Sequence, residues 1–407
     1  MGHLRCPGRL AAALAMFSAL GWAGLGAGYA QAGEPIRVGG TLALTGPLAP
    51  TAIIHKLAGE AFIERQNARG GWLGRPIQWV LLDDQSKPEQ TKALYERLIT
   101  VDKVDLLMGP YGTGTILAAM GVADRYNKVF VHHTFGMPHL ATTKGQFPAF
   151  PMGPEPAVTF PLTLYTGLKS VANPPKTVAV VTNKFPSAHF FSQGARDQAA
   201  KHGIKVALYL EYDFGTNDFT PIAARLREAK ADFVWVGAVG LDANLLLEAM
   251  QKINYRAPGI FFLFPAPGPL LALGKTAEYA MALSPFEEHP PFTDDPEVGN
   301  LVKGFHEKAA AAGVKYRDVD MQAAASYSAW QMLGAAVEAT QSLDDEKLIG
   351  WLKKTKVKAM IGTLRFDGKN NYGDDLQKVK QIRDGKWVVV WPPEFAKPGL
   401  KLVYPAP

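Results

Sequence analysis

Val104–Tyr126 reads VDLLMGPYGTGTILAAMGVADRY. Val104–Met108 is an apolar run long enough for one buried strand. It stops at Gly109-Pro110-Tyr111-Gly112-Thr113-Gly114-Thr115, and helical spacing follows at Ile116, Leu117, Met120 and Ala123. A small-residue turn between a strand and a helix aims backbone N–H groups and hydroxyls at open space. The helix start adds positive partial charge, so an anion such as a carboxylate suits the place. The glycines also suit an ordinary strand-to-helix turn. Their order, G-x-x-G-x-G, is not the dinucleotide fingerprint.

The same rhythm extends on both sides. Strands are predicted at Ile36–Leu42, Ile77–Leu82, Val104–Met108 and Val129–His132, with helices at Thr51–Ala68 and Pro88–Val101 between them. Strand alternating with helix argues for a parallel sheet wrapped by helices. Phe147–Pro156, rich in Pro, Phe and Gly, reads as a connection. A second alternation then runs from helix Ala157–Leu168 through strands Thr177–Thr182, Lys205–Glu211, Asp232–Gly237 and Gly259–Phe264. Each run is expected to form its own doubly wound α/β lobe. The remainder mixes helices at Glu297–Ala312, Met321–Gln341 and Asp344–Lys354 with strands at Gly362–Phe366, Lys378–Arg383 and Trp387–Trp391. These strands read as antiparallel, joined by turns such as Asp367-Gly368 and Asp384-Gly385. A tail this long is expected to cross back between lobes.

The first 32 of the 407 residues read as a secretory signal. Arg5 and Arg9 precede the apolar run Leu10–Ala27, and Ala30-Gln31-Ala32 supplies the small residues for cleavage after Ala32. Cys6, the one cysteine, lies before that run, so the mature chain of about 375 residues is exported without disulfides. Its length exceeds one typical core. Net charge falls from +6 to +4 on losing the two arginines, and no Lys/Arg block suggests nucleic acid.

These segments resemble the leucine/isoleucine/valine-binding protein family, the periplasmic receptors of bacterial ABC importers. The likeness is carried by Thr45-Gly46-Pro47 after the first strand, and by Asn67-Ala68-Arg69-Gly70-Gly71 followed by Leu73-Gly74-Arg75-Pro76-Ile77. Further matches are Leu82-Asp83-Asp84-Gln85-Ser86-Lys87-Pro88, Gly109-Pro110-Tyr111, Asp218-Phe219, Ala231-Asp232-Phe233-Val234 and Ile361-Gly362-Thr363-Leu364-Arg365-Phe366-Asp367. The resemblance implies a type I periplasmic binding protein fold: two doubly wound parallel-sheet lobes joined by three crossing segments, with ligand in the cleft. The N-terminal lobe is expected over 36–153 plus about 284–360, the C-terminal lobe over 154–283 plus about 361–395, and a tail over 396–407. Hinge closure and docking of the closed monomer on a membrane permease follow from the same likeness, with no cofactor.

Carried over position by position, the resemblance puts a ligand carboxylate on Tyr111, Gly112 and Thr113, with a further contact at Thr134, Phe135 and Gly136. The family's Thr is Gly136 here, so one polar contact to an α-amino acid is missing. The second lobe contributes Phe185 and Ser187. Asp242 stands where the family pairs an acid with the ligand ammonium, and its position equally suits a helix N-cap. His132-His133 and His139 suggest a metal, but adjacent strand residues point opposite ways, so no metal is expected. One histidine, His133 in this assignment, is expected to line the cleft while the other packs. Tyr111, His133, Phe135 and Phe185 together suggest a bulkier, more aromatic pocket than an aliphatic amino acid needs. The expected function is an extracytoplasmic solute-binding protein for a small carboxylated ligand, either an amino acid or an aromatic or other organic acid. A periplasmic sensor subunit of the same fold is the alternative. An exported hydrolase is less favoured, because G-x-S-x-G, a P-loop and H-E-x-x-H are all missing from the sequence. Asp83-Asp84 fits a capping role better than an acid pair.

Overall fold

In the computed structural model, which describes residues Gly33–Pro407, the first strand β1 (Ile36–Leu42) runs into helix α1 (Ala49–Ala68). The expected signal, 1–32, lies outside the described residues. β2 (Ile77–Asp83), α2 (Pro88–Thr100), β3 (Leu106–Met108), α3 (Thr113–Arg125), β4 (Phe130–His132) and β5 (Gln146–Pro148) follow. The five strands form one parallel sheet in the order β2-β1-β3-β4-β5. β5 falls inside the stretch read from sequence as a connection. Three residues of Gln-Phe-Pro offer no period to recognise.

The second run comprises α4 (Pro156–Lys169), β6 (Thr177–Asn183), α5 (Pro186–Lys201), β7 (Lys205–Tyr212), α6 (Thr220–Ala229), β8 (Phe233–Gly240), α7 (Asp242–Lys252), β9 (Ile260–Pro265), α8 (Pro267–Leu271) and β10 (Met281–Ser284). After it come α9 (Pro296–Ala311), α10 (Met321–Thr340), α11 (Asp345–Leu352), β11 (Val357–Ala359), β12 (Gly362–Leu364), β13 (Lys378–Arg383) and β14 (Lys386–Trp391). The second sheet has the order β14-β13-β10-β9-β8-β6-β7. Its strands are parallel from β7 to β10, and β13 and β14 add antiparallel pairs at one edge. Asp384-Gly385 makes the β13–β14 turn with both residues at positive φ, as a two-residue hairpin requires.

The expected turn at Asp367-Gly368 does not join neighbouring strands. β12 pairs instead with β11 in a separate hairpin, and residues 365–377 carry the chain to β13. β11 reads Val-Lys-Ala, three residues with no strand signal of their own, so its partner was invisible in the sequence.

Burial explains the layers. β8, FVWVGAVG, is buried along its whole length, as a central parallel strand covered on both faces must be. Its alternate residues serve different cores. Phe233 and Trp235 join Val178, Val180 and Phe261, whereas Val234 and Val236 join Ala179, Val181, Leu246 and Phe262. α10 is buried around most of its circumference and packs on α1, with Ser326 Oγ donating to the carbonyl of His55. The chain leaves the first sheet after β5, returns to α1 through α9 and α10 after β10, and passes again to the second sheet at β13. These are three crossings. In both sheets the order of the first five strands reverses beside the opening strand, β1 against β3 and β6 against β8. In this topology the carboxyl ends of the strands at that switch form a crevice.

Candidate functional site

Those carboxyl ends converge on one narrow cavity. β3 delivers Tyr111, Gly112 and Thr113, and Thr134 follows β4. Phe185 and Ser187 follow β6, and Val239 and Phe264 end β8 and β9. Phe150 and Met152, from the segment between β5 and α4, and Met321 and Gln322, from the first turn of α10, close the wall. No charged side chain is among these twelve residues. The lining is aromatic and aliphatic, with a few neutral polar groups.

The polar groups are placed by helix starts. Gly112, at φ 109°, is the N-cap of α3, a conformation that favours glycine. No side chain caps this helix, so its first N–H groups are free to meet a ligand. The Thr115 hydroxyl is already spent on the carbonyls of Tyr111 and Gly112, at 2.7 and 2.8 Å. Thr134 Oγ1, by contrast, is buried without any hydrogen-bond partner. Tyr111 packs against the His55 ring at 4.9 Å, and burial pushes its hydroxyl up to about 12, so it stays protonated. By comparison, the N-terminus of α10 is closed: Asp320 accepts from the N–H groups of Gln322 and Ala323.

Of the residues singled out from sequence, Tyr111, Gly112, Thr113, Thr134, Phe185 and Ser187 line the cavity. His133, Phe135, Gly136 and Asp242 stand behind it. His133 is 1% exposed and stacks on His55 at 4.2 Å. His132 is buried against Gln146, Nε2 to Oε1, at 2.7 Å. Both histidines therefore pack, and neither lines the cavity. Burial holds the His55 imidazole down at about 3, that of His132 at about 4, and that of His133 well below its usual value. Phe135 is wholly buried, and its carbonyl accepts from Tyr372 Oη at 3.2 Å.

Gly136 is a close approach between the two halves: a Cβ there would stand 2.9 Å from Ser187 Cβ and 3.1 Å from Phe191 Cε2. A larger residue does not fit while α5 lies where it does.

Asp242 is neither N-cap nor cavity wall. The cap position of α7 is Leu241, and Asp242 is the first helical residue. Its Oδ2 accepts from Asn183 Nδ2 at 2.6 Å, Tyr212 Oη at 3.0 Å and the Val239 N–H at 3.3 Å. Burial raises its pKa, against the lowering effect of those donors. Through Oδ2 the carboxylate ties β6, β7 and β8 together.

Asp83 and Asp84 likewise hold backbone. Asp83 accepts from the N–H groups of Leu44, Thr45 and Gln85, and Asp84 accepts from Thr41 Oγ1 at 2.7 Å. Among the described residues, the grouping with metal-ligand spacing is Glu288, His306 and Asp318, and it includes none of the three histidines flagged in the sequence. Glu288 there already meets His306 Nε2 at 2.9 Å and the Val319 N–H at 3.0 Å.

Sequence reasoning missed Phe150, Met152, Val239, Phe264, Met321, Gln322 and, behind them, His55. Phe264 carried a weak signal as the last residue of a predicted strand, whereas Val239 lay beyond the predicted strand end at Gly237. A larger groove of about 990 Å³, lined by Met250, Tyr255, Arg256, Lys275 and Tyr279, lies by the end of α7 and the start of β9. It uses the opposite ends of the strands and involves the second sheet alone.

A periplasmic binding protein family model matches residues 35–385. The chain belongs to the periplasmic binding protein family. Family membership joins the two sheets, their shared strand order and the cavity between them into the type I architecture. The chain is 23% identical over 373 residues to the leucine-, isoleucine-, valine-, threonine- and alanine-binding protein of Pseudomonas aeruginosa, covering 88% of this chain and 92% of that one. A leucine-binding protein from Thermotoga maritima superposes with a TM-score of 0.75 at 17% identity, covering 89% of this chain and 99% of the other. An ABC transporter solute-binding protein from R. palustris, solved in complex with benzoate, superposes with a TM-score of 0.73 at 20% identity, covering 87% and 95%. Among the described residues of this family member, no helix is long and apolar enough to cross a membrane.

Proposed function

We propose that this protein is the extracytoplasmic solute-binding component of an ABC importer, and that it takes a small carboxylate with an apolar, aromatic body and no ammonium group. The observation that carries the ligand class is the pairing of unused donors with an uncharged wall. The free N–H groups at the start of α3 and the partnerless Thr134 hydroxyl offer a carboxylate what it needs. An ammonium would find no anion among the lining residues, because Asp242 is committed elsewhere. Phe150, Phe185, Phe264 and the two methionines offer a ring its contacts. Two relatives frame the choice: one is named for aliphatic amino acids, the other was solved with benzoate.

In this reading the first-sheet loops fix the carboxylate. The second-sheet loops cover the body of the ligand, and the halves close about the three crossings. The two lobes are 36–153 with about 284–377 and 154–283 with about 378–395, the last boundary moved on from the expected 361 because β12 pairs with β11 and the second sheet resumes only at β13. The closed form is what a membrane permease receives, and the protein acts as a monomer after export behind its signal.

The test is a thermal-shift screen of the mature protein, unfolded and refolded to strip bound ligand, against benzoates, phenylacetate, short dicarboxylates, leucine and phenylalanine. A ligand at a hundred times its Kd adds about 2.7 kcal/mol to stability. A rise in Tm with aromatic carboxylates and none with leucine is expected. A rise with leucine and none with the acids would overturn the ligand class.

A further inference from the structure

One lining residue is buried, polar and held by a group outside the cavity. Gln322 is 2% exposed, and its Oε1 lies 2.9 Å from His55 Nε2. The two residues are 267 positions apart, on α10 and α1. His55 is fully buried and neutral, and its Nδ1 has no hydrogen-bond partner. A neutral imidazole carries one N–H. Were it on Nδ1, a buried donor would be left without an acceptor, which costs more than an idle acceptor. The hydrogen therefore sits on Nε2 and donates to the Gln322 carbonyl oxygen. That bond fixes the amide plane: the oxygen is turned to His55, and the NH₂ group is what Gln322 offers to the cavity. The His55 ring packs on that of His133, at 4.2 Å, and on that of Tyr111, at 4.9 Å.

We propose that Gln322 is a ligand-reading donor and that His55 is the positioning residue that sets its direction, so that the cavity requires an oxygen acceptor at this point and rejects a cation there. This deepens the carboxylate reading above and rests on it. The class of ligand is an aromatic acid whose carboxylate, or a ring substituent with an oxygen lone pair, faces Gln322. An α-amino acid would have to flip the amide to present its oxygen, and the flip sets two NH groups against the His55 N–H. Specificity against amines would then come from a contact the ligand never makes.

The experiment is calorimetric titration of benzoate, the three methoxybenzoates and L-phenylalanine into ligand-stripped wild type, Gln322→Leu, Gln322→Glu, His55→Phe and the His55→Phe/Gln322→Leu double variant. The apo thermal midpoint of each serves as the folding control. Losing one such hydrogen bond corresponds to about a tenfold weakening. Gln322→Leu is expected to weaken the tightest acid by about that factor, and Gln322→Glu by more. His55→Phe should narrow the preference for that acid over phenylalanine, and adding it to Gln322→Leu should change nothing further. Wild-type affinities retained in Gln322→Leu overturn the proposal while leaving the carboxylate reading in place. An effect of His55→Phe that persists in the Gln322→Leu background overturns the positioning role. If the wild type binds none of the acids, the ligand class itself falls, and this inference with it.

Discussion

Asp242 and Gly136 show what single residues decide here. Asp242 is the acid the family resemblance put against a ligand ammonium, and the structure spends it on Asn183, Tyr212 and the Val239 amide. Replacing it with alanine strands two buried side-chain donors, a loss of about 2–3 kcal/mol. Chemical denaturation of Asp242→Ala should show that loss, with acid affinity per folded molecule unchanged. A selective loss of ligand affinity at full stability would instead put Asp242 back in the site. Gly136 stands where the resemblance expected a threonine, and a side chain there would meet Ser187 and Phe191 across the two halves. Gly136→Thr should therefore lower acid affinity at least about tenfold by holding α5 away, with the apo midpoint little changed. Equal affinity would mean that the halves need not approach there.

Elements explain which parts of the site were legible. The turn after β3 announced itself by its glycines and hydroxyls, and the structure puts Tyr111, Gly112 and Thr113 on the cavity wall. Phe150 and Met152 were hidden because they lie in the Pro-rich stretch after a three-residue strand, where neither helical nor strand period can be seen. Met321 and Gln322 open a helix that was plain from its period, but nothing in a linear sequence sets residue 322 beside residue 55. β12 was given the wrong partner, and β11 was missed, for a related reason: short strands carry too few residues to declare themselves.

The burial of His55 on α1 and of His132 on β4 makes a prediction of its own. His55 and His132 are held down at about 3 and about 4 from 6.5, by burial. Below pH 6.5 an unfolded imidazole takes a proton that the folded one refuses, so unfolding binds protons and stability falls with falling pH. The loss builds up to pH 4 and levels off near the folded values. Each unit of depression is worth about 1.4 kcal/mol per buried group. Buried carboxyls whose pKa is raised, Glu287 to about 7 and Asp84 to about 6, pull the other way, so the imidazole contribution is read as a difference: His132→Gln should lose less Tm than the wild type between pH 6.5 and 4. A variant as acid-sensitive as the wild type would remove His132 as a cause.

The whole molecule is two sheets with one strand order, set so that the carboxyl ends of both face a shared cavity. That architecture was readable from the doubled rhythm of strand and helix, because long apolar strands such as β8 and amphipathic helices between them leave few alternatives. Ligand identity was not readable, since the wall is assembled from five strand ends, a crossover and a helix start far apart in the chain. The most direct measurement is a crystal structure of the refolded protein with the acid that gives the largest thermal shift. In that structure the carboxylate should lie against the first N–H groups of α3 and the Thr134 hydroxyl, the ring among Phe150, Phe185 and Phe264, and Gln322 should donate to a ligand oxygen. An acid bound in the groove by Tyr255 and Arg256, or lying in this cavity with its carboxylate turned away from α3, would contradict this placement.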